Sequence, residues 1–255
     1  MKKTLKILGV GLAVLVAVTA AFFVIWSGFD YEPSKQLHSL VDEKKVVEKD
    51  DYYVFKPQTN KEIKAGYIIY QGAKVEPLAY GYYAQQIANE GYLVAVVDAP
   101  FNMSFFSQNK ATDIVKSYPK ISAWFIGGHS LGGVSAASYA YDHQNSIKGL
   151  VLLASYPMNK NDFSTSTYPI LSLTGERDGL STPEKIKETK HLLSKNTELV
   201  QVKGANHAQF GMYGKQKGDN KASISPKEQQ DELVKRTIKW VNSQMKKSVS
   251  NGTDP

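Results

Sequence analysis

A serine stands among small residues in Gly128-His129-Ser130-Leu131-Gly132-Gly133. Gly-x-Ser-x-Gly is a common pentapeptide, but between a strand and a helix it becomes a nucleophile elbow. The turn is so tight that small residues must flank the serine, whose hydroxyl then stands clear of the backbone at the mouth of the helix. A helix N-terminus also aims N–H groups at developing negative charge. The chemistry this predicts is attack on a carbonyl carbon; the bland alternative is a glycine-rich turn with an idle serine.

A serine hydroxyl is a poor nucleophile near neutral pH, so it needs a base and an acid that orients the base. Of the five histidines, His38 lies in a polar stretch, His143 and His191 fall at or near helix ends, and His129 is inside the elbow. His207, in Gly204-Ala205-Asn206-His207, follows an apolar strand and is the predicted base. Asp178, in Thr174-Gly175-Glu176-Arg177-Asp178-Gly179, follows another strand and is the predicted acid, with Glu176 as the rival carboxylate. A carboxylate one loop away accepts the imidazole Nδ1–H and holds the tautomer that leaves Nε2 facing the serine.

These residues need a frame, and the apolar runs supply one. Asp51-Tyr52-Tyr53-Val54-Phe55 predicts a strand, as do Ala65-Gly66-Tyr67-Ile68-Ile69-Tyr70 and Tyr92-Leu93-Val94-Ala95-Val96-Val97. Continuous runs of this kind mark strands buried on both faces of a parallel sheet. Strands are predicted again at 124–127, 150–154, 170–173 and 199–202, with helices over 78–90 and 131–142 between them. Thr182-Pro183 opens a further helix, and Ser225 and Glu228 form a capping box for the last one. Leu233, Val234, Ile238, Val241 and Met245 keep a helical period in that last helix. The alternation predicts an open, mostly parallel sheet covered by helices on both faces, an α/β fold. Ligands in such folds sit at the carboxyl ends of the strands, where Ser130, Asp178 and His207 all fall.

The chain order serine, aspartate, histidine is that of the α/β-hydrolases and not of the chymotrypsin or subtilisin lineages. Residues 50–245 resemble a compact bacterial α/β-hydrolase similar to the dienelactone-hydrolase branch. The elbow and the Gly175-x-x-Asp178 segment carry the superfamily pattern. The segment 206–211, with Tyr213-Gly214 and Gly218-Asp219 after it, resembles a group of small exported hydrolases of undefined substrate. Dienelactone hydrolases use a cysteine where this chain has Ser130, so lactone chemistry does not carry over. The resemblance implies an oxyanion hole of two N–H donors. Leu131 supplies one, and Gln71-Gly72-Ala73 supplies the other, with Ala73 preferred over Gly72. Gln71 takes the place of a histidine found in many relatives, a change that backbone donors tolerate.

Lids in that superfamily are commonly inserted after the strand following the elbow helix, and residues 155–168 leave no room for a lid domain. An open, shallow pocket for short acyl esters is expected. Phe101-Asn102-Met103-Ser104-Phe105-Phe106 and the long loop over 208–225 are candidate walls, with ordinary core packing as the alternative for the aromatic segment. The histidines lack metal-ligand spacing, Gly218-Asp219-Asn220 is too short to argue for calcium, and no phosphate or dinucleotide loop is present. No metal and no cofactor is expected.

The first 26 residues differ from the rest of the 255. Lys2, Lys3 and Lys6 precede twenty uncharged positions, 7–26, and Asp30 and Glu32 follow. Twenty residues at about 1.5 Å each match a bilayer core of about 30 Å. The flanking charges place the N-terminus in the cytoplasm and the remaining chain outside. An uncleaved signal-anchor is expected, with cleavage after Val18-Thr19-Ala20 and secretion as the alternative. Residues 27–45 are read as a linker or short surface helix, 46–247 as one hydrolase domain and 248–255 as a disordered tail.

The net charge of +7 includes those three lysines, and Arg177 and Arg236 are the only arginines. Nucleic-acid readers lean on arginine forks, so no nucleic-acid partner is expected. With no cysteine, the chain has no disulfide, thiolate metal site or cysteine nucleophile. The expectation is a membrane-anchored, extracytoplasmic serine hydrolase acting on a small-molecule or cell-envelope carboxylic ester. Its rivals are acyl transfer to a cell-surface acceptor, amide hydrolysis, and a non-catalytic hydrolase-fold binding protein.

Overall fold

A computed structural model describes residues 2–57 and 62–250. Its strands are β1 (Val47–Glu48), β2 (Tyr52–Phe55), β3 (Ala65–Tyr70), β4 (Tyr92–Val97), β5 (Trp124–His129), β6 (Ile147–Leu153), β7 (Ile170–Gly175) and β8 (Thr197–Val202). They form one sheet in the order β1-β2-β4-β3-β5-β6-β7-β8. From β3 to β8 all neighbours are parallel; β1 and β2 join antiparallel at one edge. The mostly parallel α/β sheet expected from the alternating runs is therefore present, with a two-residue edge strand that is too short to leave a sequence signal.

The helices are α1 (Lys2–Ser27), α2 (Lys35–Leu40), α3 (Gly81–Asn89), α4 (Lys110–Ser117), α5 (Leu131–Asp142), α6 (Pro183–Thr189) and α7 (Pro226–Ser250). Side chains alternate across a strand, so each central strand feeds two cores. Tyr67, Ile69, Val94, Val96 and Phe125 pack with α2, α3 and α7 on one face. Ile68, Leu93, Ala95, Trp124 and Ile126 pack with α4 and α5 on the other. Every residue of β3, β4 and β5 is buried, which is why these strands read as unbroken apolar runs. The capping box of α7 forms as the spacing predicts: Ser225 N–H donates to Glu228 Oε2 (2.8 Å) and Glu228 N–H to Ser225 Oγ (3.3 Å).

The stretch 27–45 is stitched onto the domain. Tyr31 bridges Val75, Ser34 Oγ caps α2, and Leu37 and Val41 are buried in the α3–α7 core. Helix α7 continues to Ser250, into the expected tail, and residues 251–255 lie outside the described residues. Helix α1 contains one stretch, Lys6–Val24, long and apolar enough to cross a membrane, and none of it is buried against the domain.

Candidate active site

Strand β5 ends at His129, and the chain turns at once into α5 through Ser130. The serine is held at φ 53°, ψ −120°, a backbone conformation a non-glycine residue adopts only under constraint. The constraint is visible. Ser130 N–H donates to Leu153 O (3.0 Å), and its carbonyl accepts from Gly133 N–H (3.0 Å) and Ser155 Oγ (2.7 Å). Glycine is required on both sides. A Cβ on Gly128 would fall 2.3 Å from Gly132 C, and one on Gly132 would fall 2.1 Å from Tyr70 O. The Gly-x-Ser-x-Gly spacing is thus a packing requirement of the strand–turn–helix junction.

At the ends of β7 and β8 the structure brings Asp178 and His207 together. His207 Nδ1 lies 2.9 Å from Asp178 Oδ2 and 3.1 Å from Oδ1, with both side chains buried. Leu180 and Ser181 N–H groups donate to Asp178 Oδ1 at 2.8 and 2.7 Å, which fixes the carboxylate independently of the histidine. Glu176, the rival carboxylate, is exposed and accepts instead from Gly204 N–H (2.7 Å). Among the described residues neither Ser130 Oγ nor His207 Nε2 makes a hydrogen bond. Unbonded partners of this kind are common without substrate, where catalytic hydrogen bonds are often long.

Asp219, which sequence reasoning set aside as no calcium ligand, ties these loops together. Its Oδ1 accepts from Gly179 N–H (3.0 Å) and His207 N–H (3.2 Å), and its Oδ2 from Ala208 N–H (2.8 Å). One side chain thereby joins the loop bearing Asp178 to the loop bearing His207. Only its place in the quoted Gly218-Asp219 motif hinted at a role.

Leu131 N–H and Ala73 N–H donate to nothing among the described residues, and both residues are partly exposed, as Ser130 is. Gly72 N–H is engaged by Tyr80 Oη (2.9 Å), which leaves Ala73 as the open donor of that loop. Tyr80 Oη also meets His129 Nδ1 (2.9 Å). Since Gly72 donates to Tyr80, the phenol proton is directed at His129 Nδ1. His129 Nε2 is buried without a partner, and its ring stacks on Phe210 at 5.8 Å and lies 4.6 Å from the His207 ring. Burial, with the neighbouring His207 second, holds His129 well below the usual histidine range, while the His207 backbone pulls weakly the other way. Gln71, which stands where many relatives have histidine, buries its amide against the Asn102 amide (3.1 Å) and Ala99 N–H (3.3 Å). It anchors the 99–102 segment to the Gly72-Ala73 loop.

One cleft of about 1380 Å³ runs between α1 and the 98–113 segment, and another of about 630 Å³ lies under the 206–226 loop. Neither includes Ser130, Asp178 or His207 in its walls. Phe101, Phe105 and Phe106 line the first. The three rings of the aromatic segment are exposed, so ordinary core packing does not account for them. Among the described residues no group of three or more His, Cys, Asp or Glu side chains is placed to hold a metal.

Against known proteins, residues 66–231 match a family model described as the alpha/beta hydrolase family. No curated protein matches the chain in sequence. Among solved structures it is similar to Est1E from Butyrivibrio proteoclasticus, at 15% identity and a TM-score of 0.55, covering 77% of this chain and 98% of that one. It is similar to a monoacylglycerol lipase from Paleococcus ferrophilus, at 14% identity and TM-score 0.56, covering 75% and 99%. A thermophilic esterase from Thermogutta terrifontis matches at 11% identity and TM-score 0.56, covering 76% and 93%. At these identities the likeness is one of fold.

Proposed function

The chain belongs to the alpha/beta hydrolase family, and from that premise we propose that it is a serine hydrolase of carboxylic esters with Ser130 as nucleophile. The observation that carries this reading is the buried His207–Asp178 pair at 2.9 Å, set on the strand ends beside the constrained Ser130 turn. His207 takes the Ser130 proton as Oγ attacks the ester carbonyl, and Asp178 holds the imidazole tautomer and balances the imidazolium that forms. The oxyanion receives the N–H groups of Leu131 and Ala73, which have no other partner among the described residues. His207 then protonates the leaving alcohol, and a water activated by the same imidazole releases the acyl enzyme.

The part-exposed serine and the short connection over 155–168 favour esters with short acyl groups that reach the site from water. Extracytoplasmic placement by an uncleaved α1 fits the lysines before the apolar stretch and the acids after it. Acyl transfer needs the same residues and differs only in the acceptor, and no observation here favours it. The test is hydrolysis of p-nitrophenyl acetate, butyrate and octanoate by the full chain beside Ser130→Ala. Ser130-dependent turnover that falls with chain length is the expected result. A folded chain without Ser130-dependent turnover, whose Ser130 also fails to react with a fluorophosphonate, would leave the binding-protein reading in its place.

A further inference from the structure

Phe101, Phe105 and Phe106 are 48, 41 and 50% exposed, a ledge of aromatic rings on one loop. Contiguous apolar surface of this kind marks a contact site. The ledge is built rigidly. Phe101 and Asn102 are both held at positive φ (57° and 51°), the Phe105 and Phe106 centroids are 4.1 Å apart, and Ser135 of α5 donates to Ser104 Oγ.

Helix α1 fixes where this ledge lies. Phe23, in the last turn of the Lys6–Val24 stretch, sets its ring 5.8 Å from Phe101 and 6.4 Å from Phe106. Just beyond that stretch, Lys74 Nζ lies 4.3 Å from the Trp26 ring centroid. Lys74 is the residue after Ala73, and its N–H donates to Asn102 O (2.8 Å), so ledge and oxyanion loop move as one piece. A bilayer-spanning stretch ends where hydrocarbon meets headgroups, the level at which tryptophan collects. The ring contacts put Phe101 and Phe106 at that level, with Ala73 beside them. The ester groups of glycerolipids join tail to headgroup at the same boundary.

We propose that the 101–106 ledge is a membrane-contact surface that sets the active site at the headgroup boundary, and that the substrate is an acyl ester resident in the bilayer that holds α1. This rests on the ester-hydrolase reading above and moves its substrate from a short ester in water to an ester presented from the bilayer. On this geometry the acyl tail stays in lipid and only the ester reaches Ala73 and Leu131. The step is ordinary hydrolysis: the acyl–oxygen bond of the lipid ester breaks, water supplies the new hydroxyl, and a fatty acid and an alcohol leave.

The chain has no cysteine, so Phe105→Cys carries a single environment-sensitive dye in the full-length protein reconstituted into phosphatidylcholine–phosphatidylglycerol vesicles. Lys148→Cys, at the amino end of β6 and so at the opposite end of the strands, is the reference. Spin-labelled lipid is expected to quench the dye at 105 severalfold more than at 148; equal quenching would overturn the proposal. In the same vesicles, Phe105→Ser/Phe106→Ser is expected to lose about tenfold or more of its turnover of embedded diacylglycerol relative to its turnover of aqueous p-nitrophenyl butyrate. An unchanged ratio would also overturn it. Strong quenching at 105 in the Phe105→Cys chain, with no Ser130-dependent butyrate turnover by the wild-type chain, would remove the hydrolase reading while the membrane contact stood.

Discussion

The imidazole rings of His129 and His207 stand 4.6 Å apart, and only His207 has a carboxylate beside it. Two imidazolium ions cannot share that space cheaply, and the surroundings of His129 disfavour a proton there. His129 is buried, has its Nδ1 taken by the Tyr80 hydroxyl, and is held far below the usual histidine range. In the proposed mechanism the imidazolium forms on His207, beside the Asp178 carboxylate, and a neutral His129 does not oppose it.

That depression makes stability depend on pH with a definite sign. Below about pH 6.5 an unfolded chain takes a proton on His129 and the folded chain does not. The unfolded state then binds more protons, so the His129 contribution is fully present above about pH 6.5 and is lost as pH falls towards the folded-state value. The slope approaches about 1.4 kcal/mol per pH unit at most. His129→Asn, which keeps an acceptor for the Tyr80 hydroxyl, is expected to flatten the fall of Tm between about pH 6.5 and pH 5 relative to wild type. Parallel Tm curves for the two proteins would show that His129 is not the group responsible.

Asp219→Ala removes the acceptor for four backbone N–H groups, those of Gly179, His207, Ala208 and its neighbour Asn220. An orphaned donor costs about 1–3 kcal/mol, less where water reaches it, and here the cost falls on the relative position of the two loops that carry Asp178 and His207. The expected result is a kcat lower by about tenfold to a hundredfold, with KM for a short ester changed little. A KM effect with unchanged kcat would place Asp219 in substrate binding instead.

Where the sequence spoke clearly, the reason is burial on two faces. Every residue of strands β3, β4 and β5 is buried, so their apolar runs have no competing reading. The glycines of the elbow were equally legible, because Gly128 and Gly132 each stand against backbone atoms that exclude any side chain. Helix α4 was hidden, since only Ala111 and Ile114 of its eight residues are buried and its polar face carries no helical signal. The 27–45 stretch was hidden for a like reason: Leu37 and Val41 are its buried residues in the core, with Tyr31 and Leu40 only partly buried against it. Asp219 lies twelve residues beyond His207, and the Tyr80–His129 contact spans forty-nine, so both are products of packing that no local pattern records.

Tyr80→Phe tests that packing directly. The phenol oxygen accepts from Gly72 N–H and meets His129 Nδ1, all of it buried. Removing it leaves two buried polar groups without partners, a loss of about 1–3 kcal/mol in stability. Gly72 N–H released from the phenol also loosens the loop that presents Ala73, so kcat is expected to fall with the Tm. A variant that loses stability and keeps full kcat would confine Tyr80 to the core.

The last prediction concerns strain. Ser130 is held at φ 53°, and backbone in such sparsely populated regions costs about 1–3 kcal/mol unless the residue is glycine. Glycine gives back part of that gain, about 0.5–1 kcal/mol, through the added freedom of its unfolded chain. Ser130→Gly is therefore expected to unfold at a higher temperature than Ser130→Ala, by about 1 kcal/mol in stability, with turnover lost in both. Urea unfolding of the two variants, under conditions that keep m equal, measures the difference. Equal midpoints would mean that the hydrogen bonds to Leu153, Gly133 and Ser155 hold the turn without strain.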